Sequence, residues 1–128
     1  MGYRSQVVLA VHKNLMGKFL AHVGQCSEAK QLCFEHADEV RENYEGNGNF
    51  LFRWDSIKWY EGYEAIDCFT DFMQWCDGTE IDCAETSDHT VTGDEFYRFI
   101  RVGEESGDIV TAGHCEEFPI YPQTSIEY

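Results

Sequence analysis

The side chains with the most regular chemical spacing in this sequence are carboxylates. Glu64, Asp67 and Asp71 stand at i, i+3 and i+7, so a helix would gather them on one face, with Glu61 just ahead of them. Asp77, Glu80, Asp82, Glu85 and Asp88 follow, and Glu104, Glu105 and Asp108 come later. Like charges at helical spacing cost ~0.2–0.5 kcal/mol per pair, and no lysine is interleaved to offset them. Glu61 and Glu64 recover part of that cost from the positive end of the helix dipole. Carboxylates on a rigid scaffold can imitate backbone phosphates, which lie about one per 1.7 Å of duplex axis counting both strands. The competing explanation is a solvated helix face followed by a hydrophilic loop.

Other chemistries have less behind them. Cys33-Phe-Glu-His36 and His114-Cys115 offer ligand types, but no Cys-x-x-Cys pair exists, and the spacings of Cys26/Cys33 and Cys76/Cys83 fit no common zinc arrangement. Asp77-Gly-Thr-Glu-Ile-Asp-Cys83 lacks the alternation, central glycine and closing glutamate of a calcium loop. A thiol hydrolase needs a base and an orienting group convergent on one cysteine, and no local motif supplies them. No phosphate-cradling glycine loop occurs. The expectation is a protein without catalytic residues, metal or cofactor.

Charge is divided unevenly along the chain. Up to Lys58 seven acids balance seven basic residues; from Trp59 onward seventeen acids face only Arg98 and Arg101, so the net charge of −15 lies in the second half. Such a balance repels nucleic acid and anionic membranes and favours basic partners. With 128 residues, 43% hydrophobic and 15% aromatic, the chain reads as one domain, 1–128, with a genuine core. No window approaches the ~20 apolar residues of a membrane span. The opening apolar run, Val7 to Val11, is too short for a signal peptide, and Gln6 stands where myristoylation needs Ser or Thr. These readings predict a cytoplasmic protein with reduced thiols, of which Cys33, Cys68 and Cys76 fall on apolar helix faces.

The elements that must position the acids follow from hydrophobic period. Ser5 to Val11 reads as a buried strand and Lys13 to Val23 as a helix stopped by Gly24. Ser27 is placed to cap a second helix with the face Ala29, Leu32, Cys33, His36 and Val40, and Asn43 to Asn49 is a loop. The strand from Phe50 changes phase after Trp54, which predicts a bulge near Asp55. Gly62 to Cys76 is the strongest amphipathic helix, with Ala65, Ile66, Phe69, Phe72, Met73 and Cys76 inward. Asp77 to Thr92 reads as a polar loop. Glu95 to Val102 and Asp108 to Ala112 make a hairpin, and two prolines restrict the tail to an edge or an extended segment. The order predicts an α+β fold: a mostly antiparallel sheet of about four strands with two or three helices on one face.

Three segments, Met1-Gly-Tyr-Arg-Ser-Gln-Val7, Trp54-Asp-Ser-Ile-Lys-Trp-Tyr60 and Tyr97-Arg-Phe-Ile-Arg-Val-Gly-Glu-Glu105 with Gly107-Asp-Ile109, together resemble a family of small tailed-phage and prophage proteins. They cover about a quarter of the chain, and the central heptad is the most specific. Gln6, where an acid is common, and a longer helical insertion before the loop depart from that pattern. The resemblance implies a phage origin and no particular activity.

Together these features lead to one expectation. This is a non-enzymatic acidic phage protein of anti-CRISPR or anti-restriction type that binds a host protein at its basic, nucleic-acid-binding surface. The expected partner-binding residues are Glu61, Glu64, Asp67, Asp71, Asp77, Glu80 and Asp82, with Trp59 and Tyr63 as aromatic anchors. Direct nucleic-acid contact and membrane association are not expected. The alternatives are a structural or regulatory phage protein that self-associates, as a homodimer for instance, and a metal-dependent enzyme.

Overall fold

Val7 to Val11 contain three valines, side chains that favour a pleated, enclosed backbone. They form the heart of strand β1 (Ser5–Val11), and all five are buried. A strand without a solvent face needs a cover on both sides of its sheet. The computed structural model, which describes residues 3–44, 48–82, 90–105, 107–113, 115, 121–122 and 126–127, supplies both.

β1 is the centre of a five-stranded antiparallel sheet. On one side it pairs with β3 (Asn49–Ile57), which pairs with the edge strand β2 (Glu39–Tyr44). On the other it pairs with β6 (Tyr97–Gly103), which pairs with the edge strand β7 (Ile109–Ala112). Three helices, α1 (Lys13–Val23), α2 (Ser27–Phe34) and α3 (Glu64–Gly78), share a core with Val7, Leu9, Val11, Phe52, Trp54, Tyr97 and Phe99. The α+β class is therefore as the period of the sequence indicates, with one strand more than expected.

The opposite face buries Val8, Ala10, Leu51 and Ile100 with Tyr44 and Cys115. Between α3 and β6 the chain makes a small ribbon, β4 (Glu80–Asp82) with β5 (Thr90–Thr92), where the sequence suggests only a loop. At the end of the chain β8 (Tyr121–Pro122) pairs with β9 (Ile126–Glu127). That ribbon approaches β6 and β1. Both strands are flanked by neighbours within the sheet and covered by helices on one side, so the ribbon lies on the other.

The second helix corrects the sequence reading most. It ends at Phe34, because both Glu35 N and His36 N donate to Gln31 O, at 2.8 and 3.0 Å. Asp38 N then donates to Arg53 O at 2.8 Å and draws the chain onto the sheet. Val40, expected on the helix, faces Phe52 across β2–β3, and His36 lies exposed between the two elements. The cap is also displaced: Cys26 is the N-cap, and Ser27 is the first helical residue. The Asn43–Asn49 loop shrinks to a hairpin turn, of which residues 45–47 lie outside the described residues.

The bulge falls where the phase change places it. Ser5 pairs with Ile57 and Val7 with Trp54, so β3 spends one residue more than β1 around Asp55 and Ser56. Beyond it Ile57 and Trp59 turn toward the helix-covered core, where both are partly buried.

Candidate protein interaction site

The acidic face belongs to α3. Its inward side buries Ile66, Phe69, Phe72, Met73 and Cys76, each burial worth about 1.5–3 kcal/mol for the larger side chains. That far exceeds the few tenths lost per like-charge pair, so the fold can carry the outer row. The Gly62 amide donates to Asp67 Oδ1 at 3.0 Å and fixes the approach to the helix. Glu61, Glu64, Asp67 and Asp71 are all exposed. Among the described residues none of the four is in an ion pair. Over the seven residues from Glu64 to Asp71 a helix rises about 10 Å, one carboxylate per ~5 Å, against one phosphate per ~3.4 Å along a single DNA strand.

An exposed aromatic stands at each end of this row. Tyr63, the N-cap residue of α3, is 49% exposed with its ring 5.4 Å from Tyr60; Trp75, 38% exposed, stacks on Phe72 at 6.2 Å. Tyrosine and tryptophan are the side-chain types enriched among interface anchors, whereas acids are depleted there. Trp75 is not among the expected partner-binding residues, although its place, four residues after Asp71, signals it.

The other expected site residues part company with this row. Trp59 packs inside the core, 5.5 Å from both Phe69 and Phe99 and 5.8 Å from Trp54, so the structure places it among the residues that hold the sheet to α3. Asp77 is exposed, but its Oδ1 accepts the Tyr97 hydroxyl at 2.8 Å. Glu80 and Asp82 lie in β4, opposite Thr92 and Thr90. Residues 85 and 88, also read as acidic neighbours, are outside the described residues.

Next to Tyr63 a cleft of about 480 Å³ opens between α2 and the start of α3. Trp54, Ile57, Leu32 and Ile66 give it an apolar interior, and Trp54 Nε1 donates to Leu32 O at 2.9 Å, which fixes the indole. Its charged lining is mixed: Arg4 and Lys58 against Glu28 and Asp38. Two of these are already engaged, Arg4 by donating to Ser56 O at 3.1 Å and Asp38 by accepting the Asp55 amide at 2.7 Å. The size lies within the ~300–1,000 Å³ of binding pockets, and nothing in linear sequence announces it.

Three distant segments meet at one end of the sheet, where Ser5 pairs with Ile57 on one side and with Gly103 on the other. The Tyr3 hydroxyl donates to Asp108 Oδ2 at 2.6 Å and accepts the Glu105 amide at 2.9 Å. Arg101 reaches Asp108 through both terminal nitrogens, at 3.0 and 3.2 Å, and Ser5 Oγ at 3.1 Å. Asp108 is held below the usual carboxylate range by the Tyr3 hydroxyl first and Arg101 second, and Tyr3 is raised chiefly by its bond to Asp108. Gly103 has to be glycine here, since a Cβ would collide with Asp108 Oδ2 and the Tyr3 hydroxyl. These residues latch the N-terminus to the β6–β7 hairpin.

Burial raises the Cys33 thiol strongly, and burial followed by the nearby Cys26 raises Cys68 to about 11. Among the described residues no group of three or more His, Cys, Asp or Glu is arranged to hold a metal ion. No helix among them is long and apolar enough to cross a membrane.

Comparison with protein-family models, curated proteins and solved structures finds no match.

Proposed function

We propose that this chain is a phage-encoded inhibitor that works by binding, without chemistry of its own. The outer face of α3 would occupy the basic surface on which a host defence protein of the CRISPR or restriction type binds nucleic acid. The observation that carries the reading is the row Glu64, Asp67 and Asp71 with Glu61 just ahead of the helix, all exposed and without ion pairs among the described residues, the helical three standing between Tyr63 and Trp75. The row is sparser than a DNA strand, so it substitutes for a few phosphates at a contact surface rather than for a length of duplex. The resemblance of the three latched segments to phage proteins supports the origin, and the host cytoplasm follows from it as the place of action.

The test is an affinity pull-down from nuclease-treated bacterial lysate, washed at low and then moderate salt. The reading expects a nucleic-acid-binding protein that salt removes and that the Glu61→Lys, Glu64→Lys, Asp71→Lys variant fails to capture. Equal capture by wild type and triple variant sinks it.

A second reading, self-association, has one observation of its own. The edge strand β2 is guarded by exposed Arg41 and Glu42 and by a register shift between Arg41 and Tyr44. β7 carries no charge, and its Ile109 and Val110 are 39% and 43% exposed. Edge-to-edge pairing of two copies through β7 would give a dimer that resists salt and that Val110→Lys dissolves. Sedimentation at two salt concentrations separates the readings.

A further inference from the structure

We infer that Cys26 and Cys68 are a dithiol that closes reversibly to a disulfide, clamping the turn between α1 and α2 to the second turn of α3. This depends neither on the acidic row nor on a partner. Cys26 is the N-cap of α2, held in an extended backbone conformation, and its side chain makes no cap hydrogen bond. It is hydrogen-bonded to the Cys68 side chain instead. The main chain gives the same approach independently. Cys68 Sγ lies 3.8 Å from His22 O, an acceptor that Gln25 N also reaches at 3.3 Å, and Cys26 is the next residue. Both cysteines are half-buried at the edge of the helix-covered core, within reach of a small solute, whereas Cys33 is fully buried.

The reaction is thiol–disulfide exchange with a small-molecule disulfide such as oxidised glutathione. Burial pushes the Cys68 thiol up to about 11, so its thiolate is scarce at neutral pH and Cys26 makes the first attack. The Cys26 thiolate, its proton given to water, bonds to one sulfur of the oxidant, whose S–S bond breaks and releases one small thiolate. Cys68 then gives up its proton and attacks the Cys26 sulfur. The mixed disulfide breaks, and the second small thiolate leaves. The two departing thiolates take up the two protons, so two protein thiols are oxidised and one disulfide is reduced to two thiols. Hydrogen-bonded sulfurs must close to ~2.05 Å, a shift that a rotamer change supplies at an N-cap outside the regular helix. The closed bond restricts the unfolded chain across the whole of α2, β2 and β3.

The experiment incubates the full-length protein with oxidised glutathione, blocks the remaining thiols by alkylation and maps the disulfides by mass spectrometry. A peptide linked through Cys26 and Cys68 of one chain is expected. With it should come a rise of about 5 °C or more in melting temperature, which dithiothreitol reverses. Cys26→Ser and Cys68→Ser are each expected to lose both the link and the rise, while Cys33→Ser keeps them. Melting of the reduced variants checks their folding, and the map of the wild-type chain decides the matter even where a variant is unstable. Glutathione left on Cys26 without closure, a bond between Cys33 and Cys68, or a bond between two chains overturns the inference. So does a chain whose thiols all stay reduced.

Discussion

The latched end of the sheet and the outer face of α3 are built from the same residue types and do opposite things with them. At the latch Asp108 is held by Arg101 and the Tyr3 hydroxyl, and in the core behind the sheet Trp59 is packed between Trp54, Phe69 and Phe99. On α3 the acids Glu61, Glu64 and Asp71 have no ion-pair partner among the described residues, and the aromatics Tyr63 and Trp75 stand partly in solvent. The difference teaches that acidity and aromaticity are not in themselves signs of function. What separates a structural acid from an available one is whether the fold gives it a partner, an arginine at Asp108 or a hydroxyl at Asp77. The described ion pairs lie on the sheet, through Arg41, Arg53 and Arg101, and none on α3.

The largest effect that tests this contrast is a pair of tryptophan deletions. Trp59→Ala removes a ring from the core and is expected to cost about 3 kcal/mol or more, read as a lower urea midpoint with an unchanged slope. Trp75→Ala, with 38% of its surface already in water, is expected to cost about 1 kcal/mol and to weaken partner capture. Equal losses would erase the distinction between the two regions. Next comes charge reversal at Glu61, Glu64 and Asp71 to lysine. Relief of like-charge repulsion and loss of the favourable dipole term nearly cancel, so unfolding should stay within about 1 kcal/mol of wild type. Partner affinity at low salt, by contrast, should fall about 100-fold or more.

The α3 face was the most legible part of the sequence, because it is written in a single period of 3.6 over its whole length; the β6–β7 hairpin was announced instead by its β-branched and aromatic runs either side of a glycine-bounded turn. Strand β2 was not legible, since Val40 continues the spacing of Ala29 and Cys33, and only the two hydrogen bonds accepted by Gln31 O and the pairing with β3 decide against a longer helix. The place of Trp59 was half written. The phase change at Asp55 implies a bulge, and a bulge followed to its consequence turns Ile57 and Trp59 onto the helix-covered side. The cleft and the latch had no linear signal, because each joins residues from distant segments, Arg4 with Leu32 and Tyr63 in one, Tyr3 with Arg101 and Asp108 in the other.

Smaller effects probe the latch itself. Arg101→Ala leaves Ser5 Oγ and Asp108 without their shared donor and should lower the melting temperature by on the order of 5 °C, with no change in partner capture. Arg101→Lys, which cannot make the two-pronged contact, should recover less than half.

The finest test is pH. Asp108 has a folded pKa below its ordinary 3.8, so at higher pH both states are ionised and its stabilisation is fully present. As pH falls through 3.8 the unfolded chain takes up the proton first; the contribution fades and is gone below the folded value. Tyr3 runs the other way: its folded pKa lies above 10.0, so its contribution is present below pH 10 and disappears as pH rises through the raised value. Melting curves of Asp108→Asn should therefore start lower at neutral pH and fall less steeply than wild type below about pH 4. Tyr3→Phe should flatten the alkaline side instead. If Asp108→Asn keeps the acid limb of wild type and Tyr3→Phe its alkaline limb, the latch holds neither group more tightly than solvent does, and the contrast between the two regions fails at its root.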